Sequence, residues 1–267
     1  MERVPYILPL VLYGALSFAH LLPDVGRAVV RRGRWVAAAG LVSHGLALLI
    51  AVFYGAPSPG LPEGLSAAAL GAMVAYVAIG SGRLRSLGIL LAPLATVTLG
   101  TSLVVPHRQV VAMETAGVSP WLPVHLGLMF AGLAGFALSF AVGVLYLLVR
   151  WRLKNRQFAG LGKLPPLEML DRLQFRSTLF GFVFLTLGIG AGGAWAAASL
   201  QEPWLLDPKV LFTVMIWLWY GVALQVRLVA GMRGRWSALF SIVGFLGMIF
   251  SMVVLNFLVS GWHGYER

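Results

Sequence analysis

The chain has 267 residues, 59% of them hydrophobic and only 11% charged, with 32 glycines, no cysteine and a formal net charge of +11. A soluble domain holds about 45–50% apolar residues even with glycine counted, and about 25% charged. A single soluble domain and a disordered chain are therefore both excluded. What remains is a polytopic protein of the lipid bilayer, with room for roughly seven to nine spans at about 20 apolar residues each.

Hydropathy predicts eight apolar helices, over 5–23, 35–55, 64–80, 87–105, 122–149, 177–200, 209–230 and 237–260. The third and fourth are short and rich in small residues. The first apolar run is preceded only by Met1, Glu2 and Arg3 and is followed by no obvious cleavage site, so no cleavable signal is expected. Only 150–176 is long enough for a structured loop; it contains Pro165-Pro166 and the mixed-charge stretch Glu168 to Arg176. The expected fold is all-α, a single membrane domain of about eight helices. Residues 1–105 supply four spans and 121–267 the other four.

Orientation follows from the charges. The odd-numbered loops of this eight-span layout carry 16 of the 20 basic residues, from Arg27 and Arg31 to Arg233 and Arg235, against three acids (Asp24, Glu168, Asp171). The other side has Arg3, Arg108, Lys209 and Arg267 with six acids. Basic residues collect on cytoplasmic loops, so both termini are expected outside. The charge of +11 is then a topology signal, and no nucleic-acid partner is expected.

Topology also sorts the five histidines. His125 opens the fifth span near its outer end, and His263 follows the last span, also outside. Neutral imidazole is a good axial ligand for haem iron, and two at opposite faces make a six-coordinate site. Each could equally be an interfacial anchor with a wet polar tip. His44 lies about nine residues into the second span, roughly 13 Å deep at 1.5 Å per residue. A polar group at that depth is a functional candidate, or else bonds a polar neighbour on another helix. His20 and His107 are expected to be interfacial and solvated.

Between spans six and seven the chain runs from Trp195 through Pro203, Trp204, Asp207 and Pro208 to Lys209. Tryptophans at this level commonly form an interfacial belt, though flat indoles also suit a planar apolar macrocycle. Asp207-Pro208 is a helix-start signal: the carboxylate caps free amides and proline fits the first helical position. Gly188, Gly190, Gly192 and Gly193 in the sixth span would allow close helix approach. The sequence has no Gly-x-Ser-x-Gly, Walker loop, HExxH or paired intramembrane carboxylates. No independent catalytic residue is therefore assigned, and a proton-coupled carrier, which usually needs intramembrane acids, is disfavoured.

Four segments then resemble the cytochrome c assembly family (CcsA, the CcmC/CcmF group, and the HemX and YpjD branches). They are Trp121-Leu-Pro-Val-His125-Leu-Gly-Leu-Met, Trp195 to Lys209 as a reduced form of the tryptophan-rich "WWD" segment, the basic turn Arg227 to Arg235, and Asn256 to Tyr265 around His263. The inner loop Arg152-Leu-Lys154-Asn-Arg156 with Pro165-Pro166 is similar to YpjD and HemX. The resemblance is strongest over 121–267.

The resemblance implies that His125 and His263 ligate haem b at the outer face, with Trp195, Trp204 and Asp207 as further haem-handling positions. It implies presentation of haem for cytochrome c maturation, as a possible component of a synthetase complex. A ResB/CcsB-type membrane partner and apocytochrome c would take part, in a bacterial inner (plasma) membrane. The thiols for haem attachment would come from the apocytochrome, since this chain has none. Two departures stand out: Val210 follows Lys209 where the family has Glu, and Gln225 falls at the family's inner histidine, for which His44 could substitute in part. The alternative is a HemX-type non-enzymatic regulator of haem biosynthesis; a small-molecule transporter is a third reading.

Overall fold

The computed structural model describes residues 3–22, 29–53, 61–79, 82–105, 121–157, 164–199 and 204–258. All regular structure among them is helical. Eight long helices follow one another: α1 (Ile7–Leu21), α2 (Gly33–Phe53), α3 (Leu61–Ile79), α4 (Gly88–Val104), α5 (Trp121–Lys154), α6 (Leu167–Ser199), α7 (Pro208–Leu228) and α8 (Arg235–Leu258). Six stretches are long and apolar enough to cross a membrane among the described residues, and Pro62–Ala78 and Arg235–Ser251 are shorter apolar helices. The outward faces are apolar too: Val11, Phe18, Val42, Val97, Leu218 and Val222 are all more than half exposed. Water would not tolerate such surfaces on every helix, whereas lipid does. The chain is a multi-pass membrane bundle.

The eight predicted spans correspond to the eight helices, with one correction. The stretch Glu168–Arg176 is not loop but the first turns of α6, and α5 continues to Lys154. The reason is amphipathicity. Leu170, Gln174, Ser177 and Thr178 are buried on one face, while Arg172 and Arg176 are exposed on the other. Averaged hydropathy misses such a segment; a helical stripe reveals it. At 34 and 33 residues, α5 and α6 are about 50 Å long. They outrun a hydrocarbon core of about 30 Å and carry their charged ends past it.

Contacts divide the chain into two compact units. The first comprises Met1–Pro57, Pro62–Pro106 and Arg156–Pro165, the second Ser58–Leu61, His107–Asn155 and Pro166–Arg267. In the first unit, α1 is the polar hub. Tyr13, Ser17 and His20 share its buried face, one turn apart. Each reaches a different helix: Tyr13 to His44 of α2, Ser17 to Thr96 of α4 and His20 to Tyr76 of α3. In lipid, where apolar contact alone does not select partners, such bonds and close packing hold helices together.

In the second unit the main seam is α5 against α6, and small residues set its spacing. A Cβ at Gly135 would lie 2.7 Å from the amide nitrogen of Gly181 and 2.8 Å from its Cα. Only glycine permits that approach. Next to this crossing Phe136 stacks on Tyr220 of α7, with ring centroids 3.8 Å apart. One helical turn along α5, Ser139 bonds Thr178 at 2.6 Å and Ser241 of α8 at 2.8 Å. Gln174 donates to the same Ser241 hydroxyl at 2.9 Å.

One end of the second unit is basic and is closed by an ion pair. Arg227 near the end of α7 makes a two-pronged pair with Asp171 of α6, at 2.9 and 2.6 Å. Asp171 also accepts from the amide of Gly234, 2.7 Å away in the turn before α8. Gly234 adopts φ +70, a left-handed conformation that glycine takes without steric cost. One carboxylate thereby fixes the start of α6, the end of α7 and the turn into α8.

Candidate functional site

The opposite end of the second unit holds His125. It lies in the first turn of α5 and is half-buried against α6. Its Nδ1 is 2.7 Å from the carbonyl oxygen of Gly188. A carbonyl only accepts, so in the neutral ring the proton sits on Nδ1 and the lone pair on Nε2. That is the arrangement found when histidine is a metal ligand: the second nitrogen is held by an outer partner that fixes tautomer and ring angle.

Two glycines leave room for α5 side chains on this face of α6. A Cβ at Gly192 would lie 2.6 Å from Nδ1 and 2.7 Å from Cε1 of His125. A Cβ at Gly188 would lie 2.8 Å from Sδ of Met129, which is one turn further along α5. The ring therefore sits where Gly192 lacks a side chain, and Met129 sits where Gly188 lacks one. At Gly190 a Cβ would meet nothing within 4 Å, so the four small residues noted in this span are not equivalent. The glycine pattern was visible in the sequence, but the role of the Gly188 carbonyl as orienter was not.

Trp195 follows Gly192 by three residues on the same helix and is 6% exposed. Its indole Nε1 is buried with no acceptor among the described residues. A buried donor left unmet costs about 1–3 kcal/mol. Asp207 is 5% exposed and serves as N-cap of α7: its Oδ1 accepts from the amide of Lys209 at 2.8 Å, with Pro208 at the first helical position. The helix-start reading of Asp207-Pro208 thus holds. The side chain of Trp204, and His107 and His263 entirely, lie outside the described residues.

The structure brings His125 and Trp195 to one end of the α5–α6 seam. His44 belongs to the other unit and is fully buried there. Its Nδ1 is 3.3 Å from the hydroxyl of Tyr13 and its Nε2 is 2.8 Å from that of Ser66 on α3. Tyr6 also meets the ring edge-on, with centroids 5.8 Å apart. Both ring nitrogens are engaged by side chains on other helices, one of the two readings open for a histidine at this depth.

His20 is a correction. Expected at the interface and solvated, it is 8% exposed and bonds the hydroxyl of Tyr76 at 3.1 Å. Gly88 makes this possible, since a side chain there would run into the His20 ring. Among the described residues no group of three or more His, Cys, Asp or Glu is placed to hold a metal ion.

Comparison with known proteins gives a consistent result. The sequence profile of the family described as "Cytochrome C assembly protein" matches residues 36–263. A protein named "Cytochrome c biogenesis protein CcsA" from Prochlorococcus marinus (strain MIT 9312) is 42% identical over 98 residues, covering 37% of this chain and 32% of the relative. Proteins of the same name from Chlamydomonas reinhardtii and Guillardia theta are 29% identical over 184 residues and 30% over 163. They cover 68% and 55% of this chain, and 51% and 54% of themselves. The chain thus spans between a third and about half of the length of these relatives.

Proposed function

From the premise that this chain belongs to the cytochrome c assembly protein family, we propose that it holds haem b at the outer face of the membrane and presents it for cytochrome c maturation. His125 would hold the haem iron, with His263, by family resemblance, as the second residue to do so. The observation that carries this reading is the His125–Gly188 hydrogen bond, which presets the tautomer an axial ligand needs.

The residues fit such a group. His125 is oriented from behind by a backbone carbonyl, and Gly192 leaves the ring its seat. Trp195 offers a buried N–H to an acceptor such as a haem carboxylate. Trp204 and Asp207 complete the set the resemblance assigns, Asp207 by fixing where α7 starts. His44 is a further candidate by resemblance; its bonds to Tyr13 and Ser66 support a role in holding the first unit together.

When bound, haem supplies the vinyl groups to which cytochrome thiols attach. This chain, with zero cysteines, supplies the seat and the orientation of the His125 ring. The thiols come from apocytochrome c, and a ResB/CcsB-type membrane protein is the proposed partner. The location we assign is a bacterial inner membrane with both termini outside, on the strength of the charge distribution. A reporter fused to the C-terminus tests this; an inside location would overturn the outer-face site as well.

One observation favours a second reading, a HemX-type regulator of haem biosynthesis. Val210 and Gln225 replace family residues expected of a full synthetase. Loss of cytochrome c on deleting the gene, with haem-precursor levels unchanged, supports maturation; the reverse pattern supports regulation.

A further inference from the structure

We propose that a small recess between α6, α7 and α8 is a binding site for one water molecule, held by Gln174 beside the Arg227 side chain. The cavity measures about 10 Å³ and is lined by Gln174, Thr178, Ala223, Arg227, Ser237 and Ser241, among others. Space of about 10–15 Å³ for a water centre is the smallest that holds one.

The walls specify the ligand. Gln174 is 1% exposed, and its Nε2 donates to Ser241. Its Oε1 is buried with no partner among the described residues. Exchanging the amide oxygen and nitrogen only moves the orphan from acceptor to donor, and water satisfies either. An anion is not called for, because the charge of Arg227 is already met by both oxygens of Asp171, and its Nη1 also bonds Ser237 at 2.9 Å. A metal cation is disfavoured by the guanidinium in the wall, and the Asp171 carboxylate is taken up by Arg227 and the Gly234 amide. A neutral group of water size remains.

The consequence is mechanical. Ser241 of α8 is the meeting point of Ser139 from α5 and of Thr178 and Gln174 from α6. A water on Gln174 extends this knot to the α7 side of the cavity, so α7 is tied in by solvent where it contributes Ala223 and Leu224 but no neutral polar side chain.

The absence of native cysteine gives a clean test. Ala223→Cys places one S–H in the cavity wall without touching any polar group, and Ala137→Cys places one at a fully buried α5 position. The full-length protein in lipid nanodiscs is transferred to D2O and the S–H infrared band is followed. Exchange at position 223 is expected to be at least about tenfold faster than at 137, because water already in contact needs no local unfolding. Gln174→Leu in the Ala223→Cys background is expected to slow exchange towards the control. Because Ala223 is only half-buried, the comparison within position 223 decides: equal rates at 223 and 137, or a rate at 223 that the folded Gln174→Leu protein leaves unchanged, would overturn the proposal.

Discussion

His125 Nδ1 and the carbonyl oxygen of Gly188 lie 2.7 Å apart, and the imidazole is pressed against a helix face that has no side chain at Gly192. The two residues are 63 positions apart, so the bond is made only when α5 and α6 are packed. Seam and seat are therefore one structure, and a change in either shows in the other.

Gly192→Val tests the seat. A Cβ there already meets the ring at 2.6 Å, so the branched side chain must push His125 out of the groove. Haem retained on purification is expected to drop to the level of His125→Ala, with helix content by circular dichroism unchanged. Gly190→Ala, where the new methyl meets nothing within 4 Å, is expected to retain haem as the wild type does.

Gly135→Val tests the seam. Its nearest obstacle is Gly181 backbone, which cannot rotate away as a side chain can. The helices must separate, at a cost of about 1–3 kcal/mol or more for overpacking. Thermal unfolding in detergent should fall by several degrees, and His125 should lose its carbonyl partner with it.

Asp171→Ala tests the clamp at the basic end. Both partners of the pair are largely buried, at 10% and 14% side-chain exposure. Removing one partner of a buried pair costs about 3–5 kcal/mol, because the other charge stays behind. Replacing both, Asp171→Leu with Arg227→Met, is expected to cost less than Asp171→Ala alone. Unfolding midpoints of the three proteins decide this.

The helices were legible in the sequence because hydropathy needs no partner. So was the start of α7, since a cap and a proline act within one turn. The fate of His20 was not, because it depends on Tyr76, 56 residues away, and on the missing side chain of Gly88. Glu168–Arg176 reads as loop in the sequence for a related reason: its buried face is a single stripe made useful only by the neighbouring helices. At the candidate site, residue type and position leave His125 and Trp195 open to an interfacial-anchor reading, and the family resemblance is what singles them out. The Gly188 carbonyl could not, since backbone acceptors carry no sequence signature.

His44→Leu separates a structural from a ligand role in the first unit. The hydroxyls of Tyr13 and Ser66 both lose their partner, and each unmet buried group costs about 1–3 kcal/mol. Stability is expected to fall while the haem spectrum of the surviving folded protein keeps its wild-type shape.

The central claim, that His125 ligates haem, is tested most directly by the reduced absorption spectrum of the protein purified from haem-replete membranes, beside His125→Ala and His263→Ala. The account expects a six-coordinate haem b spectrum in the wild type and its loss or marked reduction in each variant, with imidazole added during growth restoring part of the signal. No haem in the wild type, or the same haem in all three proteins, would contradict it.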